Sequence, residues 1–392
     1  MTPQQATEGS SAILAQPNTS AHAPKVLLLT TTAEIGGTER VAISLTRVLR
    51  AEGWRVRAVF PRIPGSEALL TWCNAQGVQA EVDAAVLPVT ALHTLRDLLS
   101  LCSFIRRSSP TIVHLQYGSS FISLKDVLAV RLSGRRRCVV TVHHPASWSN
   151  MSSRKAAVTR LAAYLCDAVV VVSRATRDIL LQAKVPPQKI HIIPNGVRIP
   201  QSQPIRADAR ARLGVPLDTF VISCLGRLIS DKGIADLIAA AAEVYDPQGM
   251  LRIIIAGDGP DRQMLEELAA SRLGHRAVFL GRVPDTADIY AAADVFALPS
   301  YLEGFGLVFI EAAFHGIPSI GTTAGGIPDA VVDDKTGVLI PPGDIPAITG
   351  AIERLRGDAG LRQRLGDAAR ARAYAEFTEA HMVDRYKRVY ES

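Results

Sequence analysis

The chain has 392 residues, enough for about two domains, with 48% hydrophobic and 20% charged residues and a net charge of +6, a balance that supports buried cores and excludes a disordered chain. Cys73, Cys102, Cys138, Cys166 and Cys224 stand apart with no C-x-x-C pair, which excludes a zinc framework or a disulfide scaffold and fits reduced thiols in a cytoplasmic protein. No apolar run approaches the ~18 residues that cross a bilayer, and 5% aromatics without a helix-turn-helix, zinc-finger or RNA-recognition pattern excludes nucleic acid as an expected partner.

In chain order, residues 1–24 are rich in Thr, Gln, Ser, Ala and Pro, with no basic start and no apolar core, and read as a disordered tail rather than a signal peptide. Residues 25–30 form a short apolar run, hence a buried strand; Gly36 and Gly37 lie in the loop that follows; Glu39 to Glu52 has helical periodicity and stops at Gly53. Further strand candidates are 54–60, 111–115, 138–143 and 168–173, separated by helix-length segments. The pattern restarts after a proline-rich linker at 199–204, with strands expected at 220–225, 251–256, 277–280, 295–298 and 318–321. Alternating strands and helices imply an α/β chain of two doubly wound parallel-sheet domains, 25–199 and 205–375, whose ligands bind beyond the carboxyl ends of the strands. The charge is split between them: residues 1–200 carry 23 Lys+Arg against 11 Asp+Glu, residues 201–392 carry 20 against 26. A basic first half suits an anionic acceptor or an anionic membrane face.

The most informative stretch is Glu303-Gly-Phe-Gly-Leu-Val-Phe-Ile-Glu311. It follows the apolar run 295–300 and leads into an apolar segment closed by Gly316 and Pro318, so it reads as strand, loop and helix. The loop amides of Gly304, Phe305, Gly306 and Leu307 lie at the positive end of that helix, an anion site that glycine lets a phosphate approach closely. One carboxylate precedes the cradle and one lies about a turn inside the helix, which matches the ribose, diphosphate and sugar of a nucleotide sugar. A second cationic loop, Gly226-Arg227 to Lys232-Gly233, follows the first strand of the second domain. Arginine supplies a rigid fork and lysine a compact point charge for a leaving diphosphate. Ala256-Gly-Asp-Gly-Pro260 and Leu280-Gly-Arg-Val-Pro284 end neighbouring strands, and Thr141-Val-His143-His144 ends one in the first domain. No D-x-D triplet occurs, so a bridging metal is not required and no metal site is expected.

These segments resemble the E-x7-E, G-R-x4-K-G, G-x-G-P and T-x-H motifs of the retaining glycosyltransferases of family 4, a resemblance that runs from about residue 25 to the end and is strongest over 220–345. It implies a GT-B fold: two facing Rossmann-like domains with an interdomain cleft, an acceptor domain first, a donor domain second, and residues 376–392 as a helix crossing back to the first. It gives Glu303 and His143 catalytic roles at the transferred sugar, and Arg227, Lys232, Gly37 and the 304–307 loop the donor diphosphate. Glu311 takes the ribose, Val283 the nucleobase and Gly36 the acceptor-side loop. His114 matches a family histidine, but the second histidine often found two residues on is Gln116 here, so His114 reads as core. Arg198 replaces the acid of the family's P-N-G-V-D turn, and 193–197 reads as positioning the linker.

The implied activity is metal-independent hexosyl transfer with retention, from a nucleotide-diphosphate sugar as co-substrate and with no other cofactor. The acceptor is a glycan or a lipid-linked molecule at the inner face of the membrane, in cell-envelope or exopolysaccharide assembly. A nucleotide-sugar epimerase, a phosphorylase and a non-catalytic nucleotide-sugar binder share the fold and stay open as alternatives.

Overall fold

A computed structural model describes residues 23–32, 34–88, 94–144, 152–201 and 203–392. The N-terminal tail expected from the sequence lies, except for residues 23 and 24, outside the described residues. The first sheet contains β1 (Lys25–Thr30), β2 (Arg55–Pro61), β3 (Glu81–Asp83), β4 (Ile112–Tyr117), β5 (Arg137–Val142), β6 (Ala168–Val171) and β7 (Ile190–Ile192), in the order β3-β2-β1-β4-β5-β6-β7. The second contains β8 (Phe220–Leu225), β9 (Leu251–Ala256), β10 (Ala277–Gly281), β11 (Val295–Ala297), β12 (Ser319–Thr322) and β13 (Gly337–Ile340), in the order β10-β9-β8-β11-β12-β13. Every strand pairing is parallel. The strands β3, β7 and β13 lie outside the segments expected as strands from the sequence.

In the first domain α1 (Gly37–Ala51) and α2 (Ser66–Ala75) cover one face. The other face is covered by α3 (Leu95–Ser108), α4 (Leu124–Leu132), α5 (Ser153–Leu165) and α6 (Arg174–Gln182). The alternation of side chains along β1 explains the division: Leu27 and Leu29 pack under α3 to α6, while Val26 and Leu28 pack under α1. The second domain carries α7 (Arg206–Arg212), α8 (Ile234–Glu243), α9 (Arg262–Arg272), α10 (Ala287–Ala292), α11 (Leu307–Phe314), α12 (Ile327–Ala330), α13 (Ile345–Gly357) and α14 (Ala359–Glu376). Its core joins both helical layers to a sheet whose β8 is buried along its whole length.

The chain then returns. α15 (Glu379–Glu391) lays Met382, Val383, Tyr386, Val389 and Tyr390 into the first domain's core beside Val26, Leu28 and Ile112. The crossing is pinned at the 193–197 turn. Val197 donates its N–H to Phe377 (2.8 Å) and accepts from Glu379 (3.2 Å), and a Cβ at Gly196 would lie 2.6 Å from the Thr378 carbonyl oxygen. His114 is the polar centre of this contact: its Nδ1 bonds the Tyr390 hydroxyl and its Nε2 the Thr141 hydroxyl, both at 2.7 Å, and the Tyr386 hydroxyl completes the set at 3.1 Å from Thr141. Replacing Tyr386 by alanine empties a fully buried aromatic site. It is expected to cost about 3–5 kcal/mol in urea unfolding, against about 1 kcal/mol for Tyr386→Phe, which loses only the hydrogen bond; equal costs would contradict this packing.

Burial holds the imidazoles of His114, His143 and His315 neutral, and lowers that of His191 as well. His114 and His143 are pushed down to about 3, His114 with some help from the neighbouring His143, and His315 is pushed down to about 4 by burial and then by Arg370. In the unfolded chain each titrates near 6.5. Below that pH the unfolded state binds protons the folded state refuses, so the stability they carry is complete above about pH 6.5 and lost as the pH falls toward 3–4. The expected slope is about 1.4 kcal/mol per pH unit per histidine once the unfolded groups are protonated. Urea midpoints should therefore be level above pH 7 and fall between pH 6.5 and 5; a level curve across that window would contradict it.

Candidate functional site

The two domains meet at the carboxyl ends of their strands, and the residues singled out by the E-x7-E stretch lie at that meeting. β11 ends at Ala297 and α11 begins at Leu307, with Gly306 in the left-handed region at φ 84° as its N-cap. The loop between them is fixed by main chain packed on main chain. A Cβ at Gly304 would lie 2.0 Å from the His143 carbonyl oxygen of the first domain, and one at Gly326 would lie 2.0 Å from the Gly304 carbonyl oxygen. Gly326 also donates its N–H to the Glu303 carbonyl (2.9 Å). Glu303 and Gly304 are thus held between the end of β5 and the Gly325-Gly326 turn after β12, and no residue with a side chain fits at 304 or 326 without moving backbone.

This clamp aims the Glu303 carboxylate at Lys232. The two form a salt bridge, both side chains mostly buried, and Ser300 adds a long hydroxyl contact at 3.4 Å. The Lys232 loop is set by backbone as well: Tyr301 donates its N–H to the Asp231 carbonyl (2.8 Å), and a Cβ at Gly233 would meet the Pro299 carbonyl oxygen at 2.1 Å. The glycines of the 256–260 turn serve the same loop. A Cβ at Gly257 or Gly259 would lie 1.8 Å from the Gly226 and 2.3 Å from the Leu228 carbonyl oxygen, so this turn supports the Arg227 segment by close approach.

The first amides of α11 have no partners within the helix, and the helix dipole adds to their pull on an anion. Phe305 contributes only backbone there, because its ring is buried edge-to-face against Phe377 at 5.5 Å. Leu307 faces the other domain, with its Cδ1 3.7 Å from where a Cβ on Gly37 would stand. Gly36 caps α1, and its N–H donates to Glu39 (3.1 Å), which also accepts from the Thr32 hydroxyl. Burial raises the Glu39 carboxyl above its usual range, opposed by these hydrogen bonds.

Glu311 sits in α11 with its side chain 17% exposed. It accepts from the buried Tyr290 hydroxyl of α10 (2.9 Å) and from Arg40 Nη1 of α1 in the opposite domain (2.8 Å). Tyr290 stacks on His315 with 5.3 Å between ring centres, and burial beside Glu311 keeps its phenol protonated. Arg227 also reaches across, donating to Glu34 at 3.1 Å, but both side chains are more than half exposed and the pair is worth little by itself. Val283 lies in the loop after β10, half-buried against the second domain's core, at the same end of the sheet.

His143 follows β5 and is 6% exposed. Its Nε2 bonds the Gln116 side-chain oxygen, which places the proton on Nε2 in that amide orientation; among the described residues its buried Nδ1 has no hydrogen-bond partner. Gln116, a departure from the family pattern in the sequence, is therefore what orients this histidine. Gln116 stands out in the sequence only as a mismatch, and Arg40, Tyr290 and the Gly325-Gly326 turn are not singled out there. Only the last carries a local signal, a paired glycine just after a strand. Among the described residues no three His, Cys, Asp or Glu side chains gather as metal ligands would.

The model of the family described as Glycosyltransferase Family 4 matches residues 35–201, and that described as Glycosyl transferases group 1 matches residues 205–372. Among curated proteins, a D-inositol 3-phosphate glycosyltransferase of Corynebacterium diphtheriae is 36% identical over 57% of this chain and 55% of its own length. A GDP-mannose-dependent alpha-(1-6)-phosphatidylinositol monomannoside mannosyltransferase of Mycolicibacterium smegmatis is 33% identical over 61% of this chain and 66% of its own. The matches thus span about half to two thirds of these relatives. The structure of Anabaena Alr3699/HepE in complex with UDP and glucose superposes with a TM-score of 0.79 at 23% identity, over 94% of this chain and 99% of that one, and shares its fold. The two matched family segments follow one another along the two sheets, and the chain belongs to the family 4 glycosyltransferases, with a GT-B fold.

Proposed function

We propose that this protein transfers a sugar from a nucleotide-diphosphate sugar to a carbohydrate or lipid-linked acceptor, with retention at the anomeric carbon and without a metal. The observation that carries this reading is the Lys232–Glu303 pair, fixed by backbone contacts at the N-terminal end of α11, with Glu311 a turn further along. The donor diphosphate lies against Lys232, Arg227 and the amides of 304–307, which meet the negative charge that grows on it as the glycosidic bond breaks. Glu311 exchanges Arg40 for the ribose hydroxyls, and Tyr290 keeps its carboxylate aimed. Val283 borders the base, and Gly36 and Gly37 leave room for the phosphate and the acceptor.

The bond from the anomeric carbon to the leaving phosphate oxygen breaks with its electron pair going to that oxygen. The acceptor oxygen bonds the same face of the carbon and gives its proton to the departing phosphate oxygen. No side chain is then needed as base or nucleophile. Glu303 orients the sugar and offsets the positive charge that builds on its ring, while neutral His143 sits beneath the same loop. Relatives named for inositol phosphate and phosphatidylinositol mannoside acceptors support an anionic or lipid-linked acceptor here, as does the basic first domain. Such an acceptor places the enzyme at the inner face of the membrane in envelope glycan assembly.

Lys232→Ala and Glu303→Ala are each expected to lower turnover about a hundred- to thousandfold, with folding unchanged by circular dichroism; wild-type turnover in either would overturn the assignment. Chelation by EDTA should leave the rate unchanged and NMR should find the donor's anomeric configuration in the product. A rate restored only by added metal would refute metal independence, and an inverted product would refute retention.

A further inference from the structure

The basic excess of the first half is concentrated further in one layer. Residues 95–165 carry 11 Lys+Arg and only two acidic residues, Asp97 and Asp126. Neither acid offers a free charge. Asp97 caps α3 through the Thr94 amide (2.7 Å) and hydroxyl (2.8 Å), and Asp126 is buried against Lys125 (2.9 Å) and the Tyr117 hydroxyl (3.0 Å). Asp167, just past α5, is taken up by Arg131 (3.0 Å) and the Cys138 amide (2.6 Å). The exposed charge on α3, just past the end of α4 and on α5 is therefore predominantly positive, carried by Arg96, Arg107, Arg135, Arg154, Lys155 and Arg160.

The same layer exposes large apolar side chains. Leu95 and Leu99 of α3 are 73% and 57% exposed, Leu132 of α4 is 54%, and Leu161 and Tyr164 of α5 are 50% and 67%. Leu95 and Leu99 are one turn apart on one stripe of α3; Leu161 and Tyr164 are three apart on α5. The three helices are adjacent, α3 on α4 and α4 on α5, and Arg106 ties two of them by donating to the Leu132 carbonyl (2.7 Å). The face lies opposite the one covered by α1 and α15, so it leaves the interdomain site open.

We propose that this outer face of α3, α4 and α5 docks the protein on an anionic lipid bilayer. Leucines and a tyrosine enter the headgroup boundary, and arginines hold phosphate and carboxylate headgroups while their stems lie along the apolar surface. The charge argues against a second copy as occupant: a two-fold contact of this face with itself would bring arginines against arginines. No described helix is long and apolar enough to cross a membrane, so attachment by this face is peripheral. The inference deepens the membrane part of the proposed function, and its test uses neither donor nor acceptor, so its failure leaves sugar transfer standing.

The test is co-sedimentation of the full chain with phosphatidylcholine vesicles, with and without about a third phosphatidylglycerol, at low and at raised salt. The wild type should bind only the anionic vesicles and be released as salt rises. Arg107→Gln, Arg135→Gln, Arg154→Gln and Arg160→Gln should each weaken binding about fivefold, and together several hundredfold. Leu99→Ser with Leu161→Ser should weaken it with less change in salt dependence. All these side chains are exposed, and far-ultraviolet circular dichroism serves as the check on folding. No binding by the wild type, binding undiminished in the fourfold variant, or self-association lost in the leucine variant would each overturn the proposal.

Discussion

The site depends on main chain touching main chain where two sheets end. Glu303 and Gly304 are pressed between the His143 carbonyl of the first domain and the Gly325-Gly326 turn of the second, at distances only glycine permits. A side chain on a flexible loop would lose entropy to reach one orientation; here the loop is set by backbone before any ligand arrives. The Lys232–Glu303 pair follows from that placement. Buried ion pairs often contribute little net stability, because desolvation offsets their attraction. Their presence in a cleft between domains therefore suits a site that exchanges one charged partner for another better than it suits a structural tie.

The charges facing each other across the cleft follow the same logic. In the first domain Glu34 pairs with Arg227 and Arg40 pairs with Glu311. A carboxylate thus occupies the partner position of the arginine proposed for the diphosphate, and a guanidinium that of the glutamate proposed for the ribose. Both links are partly solvent-exposed, so exchanging them for a nucleotide costs little. The return of α15 through the His114 cluster ties the second domain's last segment into the first domain's core.

Much of this was legible in the sequence where the signal is local. The Glu303–Glu311 spacing, the glycines between and the apolar run before it announce strand, loop and helix, and the Arg227–Lys232 loop announces itself by its place after β8. What was not legible came from contacts of long sequence separation. Arg40 meets Glu311 across 271 residues, and Tyr290 reaches it from a six-residue helix with no distinctive pattern. Gln116 read as a mismatch because its role appears only when β4 and β5 lie side by side. Short edge strands such as Glu81–Asp83 were missed because three residues give periodicity nothing to act on.

The most direct measurement is a crystal structure of the full chain with a nucleoside diphosphate bound. The distal phosphate should lie within about 3 Å of the Lys232 ammonium and of the amides opening α11, with Glu311 freed from Arg40 and accepting from both ribose hydroxyls. A nucleotide bound elsewhere, with the Arg40–Glu311 and Arg227–Glu34 links intact, would contradict it.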